Sequence, residues 1–277
     1  MKKNLSISIG IPSRSPNPKL KDLLKSISKQ TIKPNEIIIL FDKVDNFDFP
    51  QELNVKYDKC VQNVAGKRNE LINRASSEFL LLIDDDNLLP QQDRLEKLLS
   101  FYFEIKKVTS KPIIIAPFSR HQEKWKIQTA GLKFNYLFSK MYYIKTPAQR
   151  FSKARALGGI ALFGKTNDFK LAKYDSSIGF LREDVDFDRS FIDKGGELYT
   201  INLPILHRER DKTRAEQGWY WNFKTLIKKI KNRNQFVKKH ATQYEKLQFY
   251  LIGYRFMPLG AIIKLFITII WQKLPKK

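Results

Sequence analysis

Leu80-Leu81-Leu82-Ile83-Asp84-Asp85-Asp86 sets an unbroken apolar run against three consecutive carboxylates, and that boundary decides how the chain is read. A short apolar run that ends in turn-forming acids reads as a buried strand. In open α/β sheets ligands bind just beyond the carboxyl ends of the strands, which is where the three aspartates fall. Adjacent carboxylates repel one another, and a divalent cation relieves the repulsion. Their hard oxygens suit Mg2+ or Mn2+ bridging a diphosphate. A solvated turn, with Asp85 or Asp86 capping the next helix, would carry the same letters, so the surroundings have to decide.

Upstream, Ser6-Ile7-Ser8-Ile9-Gly10-Ile11 is a β-rich run stopped by Pro12. Leu20, Leu23, Leu24 and Ile27 then recur at helical spacing. Glu36 to Phe41 is a second apolar run, Val55 to Tyr57 a short strand, and Ala65 to Ala75 a helix leading into the aspartate strand. Leu95, Leu98, Leu99 and Tyr102 mark the next helix and Ile113 to Ala116 another buried strand. This alternation predicts a largely parallel sheet with helices on both faces. Lys124 to Lys153 is aromatic and basic without one clear period and reads as a variable insertion or acceptor region. Gly159 to Phe163 is again apolar, Arg182 to Ile192 has helical spacing around acids, and Glu197 to Leu206 reads as a final strand.

Several of these pieces occur in the order found in glycosyltransferase family 2, and from about residue 5 to 210 the chain resembles that family. Ile9 to Arg14 is similar to the first strand and nucleotide loop, with Pro12, Ser13 and Arg14 at the nucleotide. Glu36 to Asp42 is similar to the second strand, whose terminal acid, Asp42, faces the base. Gly66-Lys67-Arg68-Asn69 is similar to the helix start ahead of the aspartate strand, which adds Gly66 and Arg68. The resemblance implies a GT-A fold: a Rossmann-like mixed sheet flanked by helices. It puts Asp84 and Asp85 on the nucleotide-sugar side and Asp86 on a divalent cation, Mn2+ or Mg2+. Gly158-Gly159 is similar to the small-residue strand of the acceptor site, and Arg182-Glu183-Asp184 to the motif whose acid is the catalytic base. Asp184 is the first choice for that base and Glu183 the reserve, with Asp186 and Asp188 read as helix-surface charges. His207 is implied as a further metal ligand, although a lone histidine is more often structural. Arg210 and Arg214, with Arg208 and Lys212, form a cationic loop suited to a leaving diphosphate. The implied reaction is inverting transfer, of hexosyl type, from UDP or dTDP to a glycan or lipid-linked acceptor in cell-surface polysaccharide synthesis.

Gly159-Ile160-Ala161-Leu162-Phe163-Gly164-Lys165-Thr166 also fits the letters of a P-loop. A phosphate cradle needs a flexible loop after an apolar strand. Here the intervening residues would themselves form a buried strand, so that reading is set aside.

The chain carries 51 Lys and Arg against 28 Asp and Glu, a net +23, which demands a polyanionic neighbour. Residues 207–277 hold 17 basic and 4 acidic side chains, so the excess is concentrated there. Phe223, Leu226, Ile227 and Ile230 share one helical face with Lys224, Lys228 and Lys229 around it, and Trp219-Tyr220-Trp221 precede them. Phe256 to Trp271 is apolar but interrupted by Pro258 and Gly260, against the ~20 residues that a span requires. Residues 215–277 therefore read as a helical region on an anionic membrane surface, peripheral or monotopic, with a span over Leu247 to Trp271 or a homodimer as alternatives. The catalytic domain is then 1–214, with a nucleotide half of about 1–118 and an acceptor half of about 119–214. Nucleic acid is the rival partner, but no zinc-finger or RRM signature accompanies the charge. A non-catalytic scaffold is disfavoured by the full set of candidate acids. Cys60 stands alone, which excludes an intrachain disulfide, and no export sequence is apparent; both point to the cytoplasmic face.

Overall fold

A computed structural model describes residues 5–44, 47–121, 127–129, 131–135, 140–144, 150–178 and 183–208, and Lys239. Strand β1 (Ile7–Pro12) leads to helix α1 (Pro18–Ser28), which begins where the Asn17 side chain accepts the Leu20 N–H and Pro18 takes the first helical position. Strands β2 (Glu36–Phe41) and β3 (Val55–Lys59) follow, then α2 (Val64–Arg74) with Asn63 capping the Gly66 N–H. The aspartate strand is β4 (Phe79–Ile83), followed by a two-residue strand β5 (Asn87–Leu88) and α3 (Arg94–Lys106). Strands β6 (Ile113–His121), β7 (Ile127–Thr129), β8 (Gly131–Asn135), β9 (Lys140–Ile144) and β10 (Phe151–Ala154) come next. The fold closes with β11 (Ala161–Lys165), α4 (Thr166–Phe169), α5 (Glu183–Asp193) and β12 (Glu197–His207).

The main sheet runs β10-β12-β6-β11-β4-β1-β2-β3, with β5 on β12 and β7 on β6. This is the mixed α/β architecture that the sequence implies. The sheet is mostly parallel, as the alternation predicts, with β11 reversed inside it. β1, β2, β3 and β4 are parallel to one another, whereas β11 runs antiparallel to both β4 and β6. An apolar run reads the same in either direction, so periodicity carries no information on this point. The reversal has a use: β11 begins where β4 ends. Ala161 lies opposite Ile83, and the Asp84 N–H donates to the Ile160 carbonyl.

Within residues 124–153 the structure adds order that the missing period conceals. β8 and β9 pair as a separate two-stranded sheet. Leu132 and Phe134 alternate there with Lys133 and Asn135, a two-residue period too short to stand out among aromatics.

Two apolar layers enclose the sheet. α1 and α3 pack on one face over Ile7, Ile9, Phe79, Leu81 and Phe163. α2, α4 and α5 pack on the other over Leu80, Leu82, Ile114 and Leu162. Glu36 is buried yet ionised. Burial would raise its pKa, but hydrogen bonds from Lys56, Ser8 and Ser76 hold it at about 2 and stitch β1 to β2. The P-loop letters dissolve into this framework. Gly164 is inside β11, Lys165 pairs with Glu78 at 3.1 Å, and the Thr166 hydroxyl donates to the Ser77 carbonyl. Of residues 215–277, all but Lys239 lie outside the described residues, as do Arg182, Arg210, Lys212 and Arg214. Among the described residues no helix is long and apolar enough to cross a membrane.

A Cβ at Gly164 would sit 2.8 Å from the Ile113 carbonyl oxygen, a backbone atom of the adjoining strand. Gly164→Ala should therefore destabilise the fold by about 1–3 kcal/mol, measurable as a lowered urea midpoint. An unchanged midpoint would contradict the tight β11–β6 packing.

Candidate active site

The carboxyl ends of β1, β2 and β4 meet at one rim. Pro12 is buried there, and the Ser13 N–H donates to the Leu40 carbonyl. The Ser13 hydroxyl donates to Asp85 at 2.5 Å, and the Asn17 amide reaches the same carboxylate oxygen at 2.9 Å. Asp85 is thus committed to the first loop rather than to the next helix. Arg14 is exposed, and its carbonyl accepts the Asp42 and Lys43 N–H groups. Asp42 pairs at 2.7 Å with Lys67, which is buried and also donates to the Ser13 carbonyl. Gly66 sits in the first turn of α2 against Gln62. Lys67 is the residue that joins the first loop to Asp42. Its signal in the sequence is a Lys-Arg pair in the opening turn of a helix that faces three acids.

Arg68 holds the centre. Its side chain is 5% exposed and donates to Asp84 at 3.0 Å and to the Gly159 carbonyl at 2.8 Å. Glu183 lies 3.7 Å away, and the Tyr174 ring lies 5.5 Å from the guanidinium carbon. Burial alone would make this cation easier to deprotonate, but the charges of Asp84, Glu183 and Asp184 raise its pKa above the usual value. Asp84 responds in the opposite sense. Burial pushes its pKa up to about 6; Arg68 opposes the shift, and Asp86 and Asp85 add to it.

Asp184 enters the same rim from the start of α5. One carboxylate oxygen accepts the Gly159 N–H at 3.2 Å and the other the Val185 N–H at 2.8 Å. A Cβ at Gly159 would lie 3.0 Å from an Arg68 nitrogen and 3.1 Å from the Asp184 Cβ, so only glycine fits without displacing one of them. Asp184 is partly exposed while Glu183 is buried against Arg68. Asp84 and Asp184 are therefore linked at one rim through Arg68 and Gly159.

Two sequence expectations need correction. Asp186 and Asp188 are not surface charges: they are 0% and 1% exposed, because the apolar face of α5 carries them inward beside Phe187 and Phe191. Asp188 accepts the Leu157 N–H at 2.5 Å, which fixes the approach to Gly159, and burial drives its pKa well above the ordinary value. Asp186 pairs with Lys239 at 2.8 Å, and Lys239 also reaches Asp175 at 3.3 Å. Such pairings depend on tertiary packing that the local spacing does not announce.

At the other end of the aspartate run, pairing of β12 with β5 sets His207 opposite Asn87. His207 Nε2 comes to 3.4 Å from Asp86, whose carbonyl accepts the Arg208 N–H. Arg208 itself pairs with Asp22 of α1 at 2.7 Å. The His207 Nδ1 atom and the Asn87 Oδ1 atom are buried without hydrogen-bond partners among the described residues. No cluster of three or more His, Cys, Asp or Glu with metal-site spacing occurs among the described residues. Asp86 and His207 set a carboxylate oxygen and an imidazole nitrogen side by side, donor types compatible with a divalent cation such as Mn2+.

The family model described as Glycosyl transferase family 2 matches residues 8–166. No curated protein matches the chain in sequence. Among solved structures, S. aureus TarS 1-349 is similar at a TM-score of 0.56 and 12% identity, over 92% of this chain and 73% of that one. TarS 1-349 in complex with UDP gives 0.55 and 13%, over 92% and 73%. The complex of TarS 1-349 with UDP-GlcNAc gives 0.54 and 14%, over 88% and 78%.

The raised pKa of Asp84 has a stability consequence with a definite sign. The folded state keeps a proton on Asp84 between 3.8 and about 6, where the unfolded chain has released it. The associated stability is present at low pH and is lost as pH rises through about 6. Relative to Asp84→Asn, the wild-type protein should therefore lose unfolding free energy between pH ~4 and ~6 and stay level above. Urea titrations across that range measure the difference; a flat difference, or one of opposite slope, contradicts the assignment.

Proposed function

The chain belongs to glycosyl transferase family 2, and we propose that it transfers a hexose from a nucleoside diphosphate, of UDP or dTDP type, to a glycan or lipid-linked acceptor with inversion. The observation that carries this reading is the shared rim: Arg68 and Gly159 link Asp84, at the end of the aspartate strand, to Asp184 at the start of α5. Inverting transfer needs that pairing. A carboxylate removes the acceptor hydroxyl proton while the oxygen bonds to the anomeric carbon, and the bond to the diphosphate oxygen breaks on the opposite face. Asp184 is the proposed base because it is partly exposed, whereas Glu183 is spent on Arg68.

In this proposal the loop of Pro12, Ser13 and Arg14, with Asp42 and Gly66, receives the nucleoside. Asp84 and Asp85 border the ribose and the sugar, and Gly159 borders the acceptor. Asp86 and His207 would hold a divalent cation, Mn2+ or Mg2+, whose chemistry there is neutralisation of the diphosphate charge. An imidazole ligand favours Mn2+ of the two. Arg210 and Arg214 lie just beyond β12 in sequence and supply cations for the departing diphosphate. Support for a uridine donor comes from the TarS structures with UDP and UDP-GlcNAc. The basic, apolar composition of residues 215–277 supports attachment to an anionic membrane surface at the cytoplasmic face, and a role in cell-surface polysaccharide synthesis accords with it.

Calorimetry on the full chain with UDP, dTDP and GDP, with and without Mn2+, tests the donor reading: one of the first two should bind, more tightly with the metal. Asp184→Asn should lower the release of UDP from UDP-GlcNAc or a related donor by ~10²–10⁴-fold, the range for a general base, and leave the donor Kd nearly unchanged. Absence of nucleotide binding removes the donor reading; undiminished turnover removes Asp184 from the base role.

A further inference from the structure

On the face of the sheet away from Arg68, α3 and β12 enclose a cleft of about 330 Å³ lined by Arg94, Lys97, Arg150, Ser100 and Asn202. Three cations border it. Lys97 is matched by Asp93 at 2.8 Å and Arg150 by Glu104 at 2.6 Å, and the heads of both are substantially exposed. Arg94 is different. Its side chain is 4% exposed, its Nε is buried without a partner, and its one ion-pair approach, to Asp93, is 3.9 Å long with no hydrogen bond. Burial lowers the guanidinium's pKa below its usual value, and Asp93 opposes that only in part.

A guanidinium removed from water without hydrogen bonds is strongly destabilising unless an anion completes it. The first backbone N–H groups of α3 do not explain the arrangement, since those of Arg94 and Leu95 both donate to the Gln30 side chain. Arg150 is held over the Phe101 ring at 4.9 Å, which sets its planar head at the cleft wall. Asn202 and Ser100, both residues with neutral donors, also line it. We propose that this cleft is a binding site for a phosphate group, with Arg94 as the buried anchor and Lys97 and Arg150 as its outer clamps. Its place on the α1 and α3 face makes it separate from the donor cleft, so it stands whether or not the transfer reaction is as proposed.

The phosphate belongs either to a soluble anion or to a lipid headgroup, and the two are separable. Inorganic phosphate, titrated with EDTA present, should raise the Tm of the full chain by several degrees through mass action. Arg94→Met should abolish the rise while leaving the phosphate-free Tm at or above that of the wild type, because an unmatched buried charge is removed. Lys97→Gln and Arg150→Gln, both at exposed side chains, should each weaken phosphate binding by ~3–10-fold. UDP affinity should be unchanged in all three variants, which separates failure here from failure of the donor reading. Weaker capture of Arg94→Met than of wild type by phosphatidic acid vesicles, with phosphatidylcholine as reference, identifies a headgroup; equal capture with the phosphate response intact identifies a soluble source. An identical phosphate response in wild type and Arg94→Met, or no response in the wild type, overturns the site.

Discussion

A buried guanidinium holds this rim together. Taking Arg68 out of water costs several kcal/mol unless its hydrogen bonds and charge are matched. The matching comes from three places far apart in sequence: Asp84 at the end of β4, the Gly159 carbonyl ahead of β11, and Glu183 at the start of α5. Because each partner is also fixed by its own strand or helix, the guanidinium acts as a common reference point for the loops around it. The antiparallel course of β11 follows from the same requirement. A parallel strand in that position would begin at the opposite rim and leave Arg68 without its carbonyl partner.

The same accounting of buried charge separates the two faces of the sheet. On the α2 and α5 face the buried cations lie against carboxylates, Arg68 against Asp84 at 3.0 Å and Lys67 against Asp42 at 2.7 Å. On the α1 and α3 face Arg94 is buried with only a 3.9 Å approach to Asp93 and an Nε atom without a hydrogen-bond partner. A net charge of +23 makes a chain rich in cations, but position decides which of them can act. The Arg94 cleft is a confined place where one oxyanion would serve three side chains.

Much of the fold is legible in the letters. Leu20, Leu23, Leu24 and Ile27 read as one buried face, and they are one; the run from Phe79 to Ile83 is a fully buried strand. The order of the motifs brings Asp42, Asp84 and Asp184 to one rim before any coordinates are known. Strand direction at β11 is not legible, because direction leaves no trace in an apolar run. Asp186 and Asp188 read as surface acids because carboxylates at a helix start are ordinarily solvated. Their burial is decided by Lys239 and by the Leu157 N–H, which lie 53 and 31 residues away. Arg68 reads as a ligand for the nucleotide; what the sequence does not show is that it also bonds to Asp84 and the Gly159 carbonyl across the rim.

The most direct measurement is backbone hydrogen exchange in Arg68→Lys, which keeps the charge but replaces a planar fork with a single ammonium unable to span Asp84 and the Gly159 carbonyl together. The account predicts that the Gly159 and Val185 amides, both bonded to Asp184, lose protection together while the β1 and β2 amides keep theirs. Protection of Gly159 and Val185 equal to that of the wild type would contradict it.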